Sequence, residues 1–257
     1  MTEDPCYTFC LYATTQGHWK VRDRYRATVE SFQSQIQPRS DPCYVASIKQ
    51  SPGDAEFCNG MADWLSDRGF TISAQEGEFS HGHESHQLEY LRDMLRINHF
   101  VHTEYVLHME DDWVLKPHND QSLSLYIDMA IKLLRDNPDI MQVRVPRFSD
   151  EPTRINGLRA KHGINTRAEC MDNYFWRSGD WSNNPYVART RDIRAALTFV
   201  KNSNLPKHSE HGMSVAMKMI GWCELPFAFF DPSIIRCGHI GTPVGQEDDL
   251  SKPLFSQ

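Results

Sequence analysis

The chain has 257 residues, with 34 acidic against 27 basic side chains and a formal charge of −7. That length buries a full core without disulfide staples, and the acidic balance disfavours a protein that grips nucleic acid by its phosphates. With 40% hydrophobic residues and 28 aromatics, a disordered chain is excluded. The longest apolar run, Leu225–Phe230, is far shorter than the roughly 20 residues a membrane span needs. The opening MTEDPCYTFC lacks the basic-then-apolar layout of a secretory signal, so a cytoplasmic protein is expected. Seven scattered cysteines without a C-x-x-C pair read as reduced, mostly buried thiols.

Strand-like and helix-like segments alternate along the front of the chain. Tyr7–Thr14 reads as a strand, and Arg24–Gln35 as a helix with Tyr25, Val29 and Phe32 on one stripe. Cys43–Ile48 is a second strand, closed by the turn signal Ser51-Pro52-Gly53-Asp54. Ala55–Asp67 is a helix ended by Gly69, and Phe70–Ala74 a short strand. A long helix is expected from about Ser85 to Phe100. Strand Tyr105–Met109 then runs directly into Glu110-Asp111-Asp112. Helix Ser122–Arg135 stops before Pro138, and Ile140–Val145 is the next strand. This order predicts a mostly parallel mixed sheet flanked by helices.

Residues 147–185 are polar and studded with Tyr174, Phe175, Trp176 and Trp181, without obvious regularity. Segments that long in a compact domain tend to be functional. Regular structure is expected again at Tyr186–Ala188, in helices at Arg191–Val200 and Ser209–Ile220, and in a strand at Pro226–Phe230. The tail beyond Gly241 reads as mobile.

The acidic triplet is the most informative feature. Adjacent carboxylates repel and desolvate poorly, so a strand that ends in three of them implies a cation among them. Ligands of open α/β sheets bind at the carboxyl ends of strands, where the triplet falls. A hard divalent ion, Mg²⁺ or Mn²⁺, completed by substrate phosphates, is the natural occupant. A solvent-facing acidic loop is the plainer alternative, and the apolar flanks YVLHM and Trp113–Leu115 argue against it.

The stretch EYVLHMEDDW resembles the D/E-x-D segment of GT-A-fold glycosyltransferases, nucleotide-sugar-dependent enzymes with a Rossmann-like core. Other landmarks follow in the family's order. A first strand ends in hydroxyl residues (YTFCLYATT). Asn184-Pro185-Tyr186-Val187-Ala188-Arg189 resembles the N-P-x-x-x-R element. Glu210 stands at the xED position, and His239 at the C-terminal histidine.

The resemblance implies a single GT-A catalytic domain, with residues 7–115 binding the nucleotide and 116–245 the sugar and acceptor. It implies transfer from a nucleotide-diphosphate sugar, UDP-linked by default, to a hydroxyl of a glycan or other small acceptor, with inversion; retention is the open branch. Asp112 would bind the metal, Glu110 would lie toward the ribose or the metal's waters, and Asp111 is the middle residue near the cofactor. His239, between Gly238 and Gly241, would be a second metal ligand or an ordinary loop histidine. Glu210, at a helix start capped by Ser209, is the candidate general base. The family has Asp after that acid, whereas this chain has His211, which opens His211 as a substitute base.

The resemblance implies that Thr14, Thr15 and Asp54 contact base or ribose, with plain strand-end hydroxyls and a turn Asp as the open alternative, and that His83 or His86 contacts a phosphate or base. Trp176, Asp180, Trp181 and Asn183 would build the acceptor and sugar pocket, with tryptophan faces stacking on a sugar ring. Two rival readings stand beside this one: a metal-dependent hydrolase built on the histidines of residues 81–86, and a glycan-binding domain that kept the fold and lost catalysis.

Overall fold

The computed structural model describes residues 7–14, 23–36, 42–51, 53–76, 93–94, 96–118, 121–147, 168–179, 181–182, 185–203 and 209–240. The front half alternates as expected: β1 (Tyr7–Thr14), α1 (Arg24–Gln35), β2 (Cys43–Gln50), α2 (Ala55–Ser66), β3 (Phe70–Glu76) and β4 (Tyr105–Glu110). Then come β5 (Trp113–Pro117), α3 (Leu123–Asp136), β6 (Gln142–Arg144), β7 (Ala168–Cys170), β8 (Phe175–Ser178) and β9 (Tyr186–Arg189). The chain continues through α4 (Thr190–Asn202), α5 (Ser209–Gly221), β10 (Phe227–Phe230) and β11 (Ile235–His239).

Nine strands form one sheet in the order β3-β2-β1-β4-β9-β6-β10-β8-β7, and β11 pairs with β5 in a separate ribbon. β1, β2, β3 and β4 are mutually parallel, and β9 enters between β4 and β6 in the opposite sense. β10 runs parallel to β6, and β8 is antiparallel to both β10 and β7. Only β9 and β8 therefore oppose the direction of the other strands. This is the expected α/β class: a mostly parallel mixed sheet flanked by helices.

Alternation along the strands explains why both faces are covered. Phe9, Leu11, Tyr105, Leu107 and Met109 face one core, which α1, α2 and α3 close with Tyr25, Val29, Phe32, Met61, Leu65, Ile127 and Leu134. Phe32 stacks on Phe9 at 4.2 Å between ring centroids. Truncating such a buried ring to alanine costs about 3–5 kcal/mol. Cys10, Tyr12, Val45, Val106, Tyr186 and Ala188 face the other core, closed by Ile193, Leu197, Met213 and Met217 of α4 and α5. The start of α3 is set by Ser122, whose hydroxyl accepts from the Ser124 amide at 3.3 Å.

The arginine of the N-P-x-x-x-R element has a structural task. Arg189 is 3% exposed, pairs with Asp192, and donates to the carbonyls of Leu134, Pro138 and Ile140. It thereby closes the carbonyls left open after α3.

Two expectations are corrected. Residues 147–185 are not without regularity, since β7 and β8 lie there. The apolar flank after the triplet, Trp113–Leu115, lies in strand β5. The described cysteines are free thiols, but only Cys10, Cys58 and Cys237 of them are buried, and Cys43 and Cys170 are exposed. Most of the expected helix 85–100 and the tail beyond Gly241 lie outside the described residues. No helix among the described residues is long and apolar enough to cross a membrane.

Candidate active site

Parallel β1, β2 and β4 deliver their carboxyl ends to one edge of the sheet, with Tyr12 opposite Glu110 and Thr14 opposite Lys49. β4 ends at Glu110, and Asp111-Asp112 form the turn into β5. The Asp111 amide donates to the Tyr12 carbonyl at 2.9 Å, which anchors that turn to β1.

The three carboxylates have different surroundings. Asp111 is 3% exposed and turns toward α1, where Arg24 Nε meets its Oδ1 at 3.0 Å. Thr28 Oγ1 donates to the Asp111 carbonyl at 3.0 Å. Its carboxylate thereby helps to hold the turn. Half-buried Asp112 differs: burial pushes its carboxyl up from the ordinary value, and Arg24, a backbone hydrogen bond and Arg147 only partly oppose that shift. Half-buried Glu110 lies on the α4–α5 side and helps hold the buried Tyr186 hydroxyl in its protonated form, after burial itself and Cys10.

Beneath Glu110 lies an aromatic stack. His108 sits between Tyr12, at 4.4 Å, and Tyr186, at 4.6 Å, with both rings stacked on it. Burial pushes the His108 imidazole down to about 3, so it is neutral at physiological pH.

The ribbon of β5 and β11 brings the C-terminal part of the chain to the same edge. His239 pairs in register with Trp113, and the Ile240 amide donates to the Asp112 carbonyl at 2.6 Å. The family-derived histidine is therefore adjacent to the acidic turn in backbone terms. Arg147 joins the edge from β6. It bridges to Cys237, and its guanidinium lies 4.7 Å from the centroid of the Trp113 ring.

Among the described residues, no group of three His, Cys, Asp or Glu side chains is arranged to hold a metal ion. What the donor chemistry offers is the desolvated Asp112 carboxylate. One or two carboxylates suit an ion that takes its remaining oxygens from water and phosphate, and Asp112 is a donor of that kind.

The other expected site residues are distributed as follows. Thr14 closes β1, and Glu210 and His211 lie in the first turn of α5; for these three and His239 the structure describes the backbone alone. Thr15, His83, His86, Asp180 and Asn183 lie outside the described residues. Asp54 is half-buried at the start of α2 and lines a cavity of about 410 Å³ with Tyr25, Arg26, Glu56 and Phe57. Half-buried Trp176 donates its indole N–H to Asp231 at 2.9 Å. Trp181 is 4% exposed and packs edge-on against Tyr186 and Phe227.

Sequence patterns also missed several polar groups at this edge. Arg24, Thr28 and Arg147 surround the turn. Arg96 Nη2 pairs with Asp93 at 3.3 Å and donates to Ser47 Oγ at 2.8 Å, beside Lys49 at the end of β2. The recurring basic residues near carboxylates were the available signal, but their partners are distant in sequence.

No protein-family model matches the chain, and no curated protein matches it significantly. Among solved structures, it is similar to a protein from Bacillus anthracis assigned as a glucose-1-phosphate thymidylyltransferase and crystallised with sucrose. That likeness has a TM-score of 0.52 at 8% identity and covers 91% of this chain and 89% of the other. It shows a shared fold. Mouse xyloside xylosyltransferase 1 in its apo form also aligns, over 88% of this chain and 84% of that one, with a TM-score of 0.42 at 6% identity.

Proposed function

We propose that the chain is a metal-dependent, nucleotide-sugar-dependent glycosyltransferase, organised as one domain, that transfers the sugar to an acceptor hydroxyl with inversion. One observation carries the reading: the desolvated Asp112 carboxylate on a turn at the carboxyl edge of parallel strands, with β11 laid against it. The GT-A fold and the order of the landmarks agree with it. The Bacillus anthracis structure that shares the fold is described as a thymidylyltransferase, a transferase as well.

In this reading Asp112 and His239 would hold Mn²⁺ or Mg²⁺, with Glu110 toward the ribose or the metal's waters, and the cation would supply neutralisation of the charge that grows on the departing diphosphate. Asp111, Arg24 and Thr28 fix the turn so that Asp112 is presented without reorganisation. Thr14, Thr15 and Asp54 contact base or ribose, with His83 or His86 near the phosphates. The acceptor oxygen attacks the anomeric carbon, the sugar–phosphate bond breaks, and Glu210 takes the hydroxyl proton. Trp176, Asp180 and Asn183 bind hydroxyls and a ring face, and His211 adjoins the base.

The test is a thermal-shift panel of UDP, GDP and dTDP and their sugars, with and without Mn²⁺. A nucleotide-specific rise in melting temperature that EDTA abolishes is the expected result. Glu210→Gln should keep that rise and lose turnover by about 10²–10⁴-fold. Absence of any nucleotide-dependent shift would sink the proposal.

A further inference from the structure

Arg144 closes β6, and its register places it in a row that crosses the sheet: His108 opposite Tyr186, Tyr186 opposite Arg144, Arg144 opposite Phe229, and Phe229 opposite Trp176. Residues paired in this way share a face. Arg144 therefore projects on the same side as His108 and Glu110, two strand spacings from β4, or about 10 Å.

Its surroundings are unusual for a buried cation. Arg144 is 8% exposed, yet its Nε has no hydrogen-bond partner among the described residues, and no described carboxylate pairs with it. Its guanidinium carbon lies 5.1 Å from the centroid of the Phe229 ring. Arg189, buried in the adjacent strand, has a carboxylate and three carbonyls around its guanidinium. The fold is thus able to satisfy a buried arginine, and at Arg144 the described residues supply an aromatic backing instead. A buried guanidinium without an anion is destabilising, and an oxyanion delivered by a ligand would complete it.

We propose that Arg144 anchors an anionic group, a carboxylate or phosphate, carried by the transferred sugar or by the acceptor. The placement of that group relative to the transfer site rests on the glycosyltransferase reading above. Arginine suits the task because its planar fork meets two oxygens of a carboxylate or phosphate at once. Phe229 holds the guanidinium from behind. Trp176, next in the row and fixed by its bond to Asp231, presents its half-buried ring to the sugar that bears the anion.

The test compares the wild-type chain with Arg144→Met by calorimetric titration and thermal melting. D-glucuronate and glucose 6-phosphate are the anionic probes, with D-glucose as the neutral control. The wild type should bind at least one anionic sugar about tenfold or more tighter than glucose. Arg144→Met should lose that preference while melting at or above the wild-type temperature. A second arm compares UDP-glucuronate with UDP-glucose: discrimination lost in the variant puts the anion on the transferred sugar, and equal binding puts it on the acceptor. The proposal is overturned if the wild type shows no preference, if the variant keeps it, or if the variant melts several degrees lower, which would make Arg144 structural. Because the first arm contains no nucleotide, failure of nucleotide binding alone would remove the transferase reading and leave this one standing.

Discussion

Arg24 and Asp111 join the first turn of α1 to the turn after β4 through a contact of 3.0 Å between Nε and Oδ1, with side chains only 16% and 5% exposed. Breaking one side of such a pair strands the other charge away from water, at a cost of about 3–5 kcal/mol. Arg24→Met should therefore destabilise the protein by about that much in urea unfolding. The double variant Arg24→Met with Asp111→Asn should recover a substantial part. Additive losses in that cycle would show that the pair does not act as a unit.

Asp112 should behave in the opposite sense. Its folded-state carboxyl is raised by burial, so the native protein holds the proton more tightly than the unfolded chain does. Ionised Asp112 then opposes folding at neutral pH, and the effect disappears below the ordinary value of 3.8, where both states are protonated. Asp112→Asn should raise the melting temperature in EDTA at pH 7 and match the wild type near pH 3. It should also lose the stabilisation of about 2–3 kcal/mol that a ligand gives at about a hundred times its Kd, here measured with UDP and Mn²⁺. A variant that is less stable than the wild type in EDTA would contradict the desolvation argument.

His108 supplies a separate pH dependence. Its imidazole ionises at about 3 when folded and at an ordinary 6.5 when unfolded, because burial between two rings excludes the charged form. The unfolded chain therefore takes up a proton that the native state refuses. Stability is intact above pH 6.5 and falls as the pH drops toward 3, by up to about 1.4 kcal/mol per unit. His108→Phe keeps a flat ring in the stack and removes the proton. Between pH 7 and pH 5 the wild type should lose about 2 kcal/mol more than this variant, measured by denaturant unfolding at each pH. Equal losses would mean that other groups carry the acid sensitivity.

The expectations that held were those set by local pattern. α1 spans Arg24–Gln35 as its stripe predicts, because Tyr25, Val29 and Phe32 recur at helical spacing and all three are buried. β1 was equally legible from a run of apolar residues that is covered on both faces. β7, β8, β5 and β11 were not, since short strands draw their stability from partners far along the chain. β11 pairs with β5 across more than a hundred residues, and no window of sequence carries that information. The acidic turn could be seen as a site from its unfavourable charge density. That Asp111 holds Arg24 while Asp112 remains desolvated depends on where α1 docks, which the triplet itself does not specify.

Trp176 and Trp181 look alike in sequence, both set among polar residues, yet the fold separates them. Trp181 packs on Tyr186 and Phe227 within the α4–α5 core, and Trp176 is half-buried on β8 with its N–H on Asp231. Trp181→Ala should cost about 3–5 kcal/mol, as removal of a large core ring does. Trp176→Ala gives up less buried area and one hydrogen bond, so its cost should stay under about 2 kcal/mol. Sugar binding should separate them the other way. With Trp176 as the fluorophore at the ring-binding face, quenching by an anionic sugar should persist in Trp181→Phe and vanish in Trp176→Phe. Persistence in Trp176→Phe would move the sugar-stacking face elsewhere in the molecule.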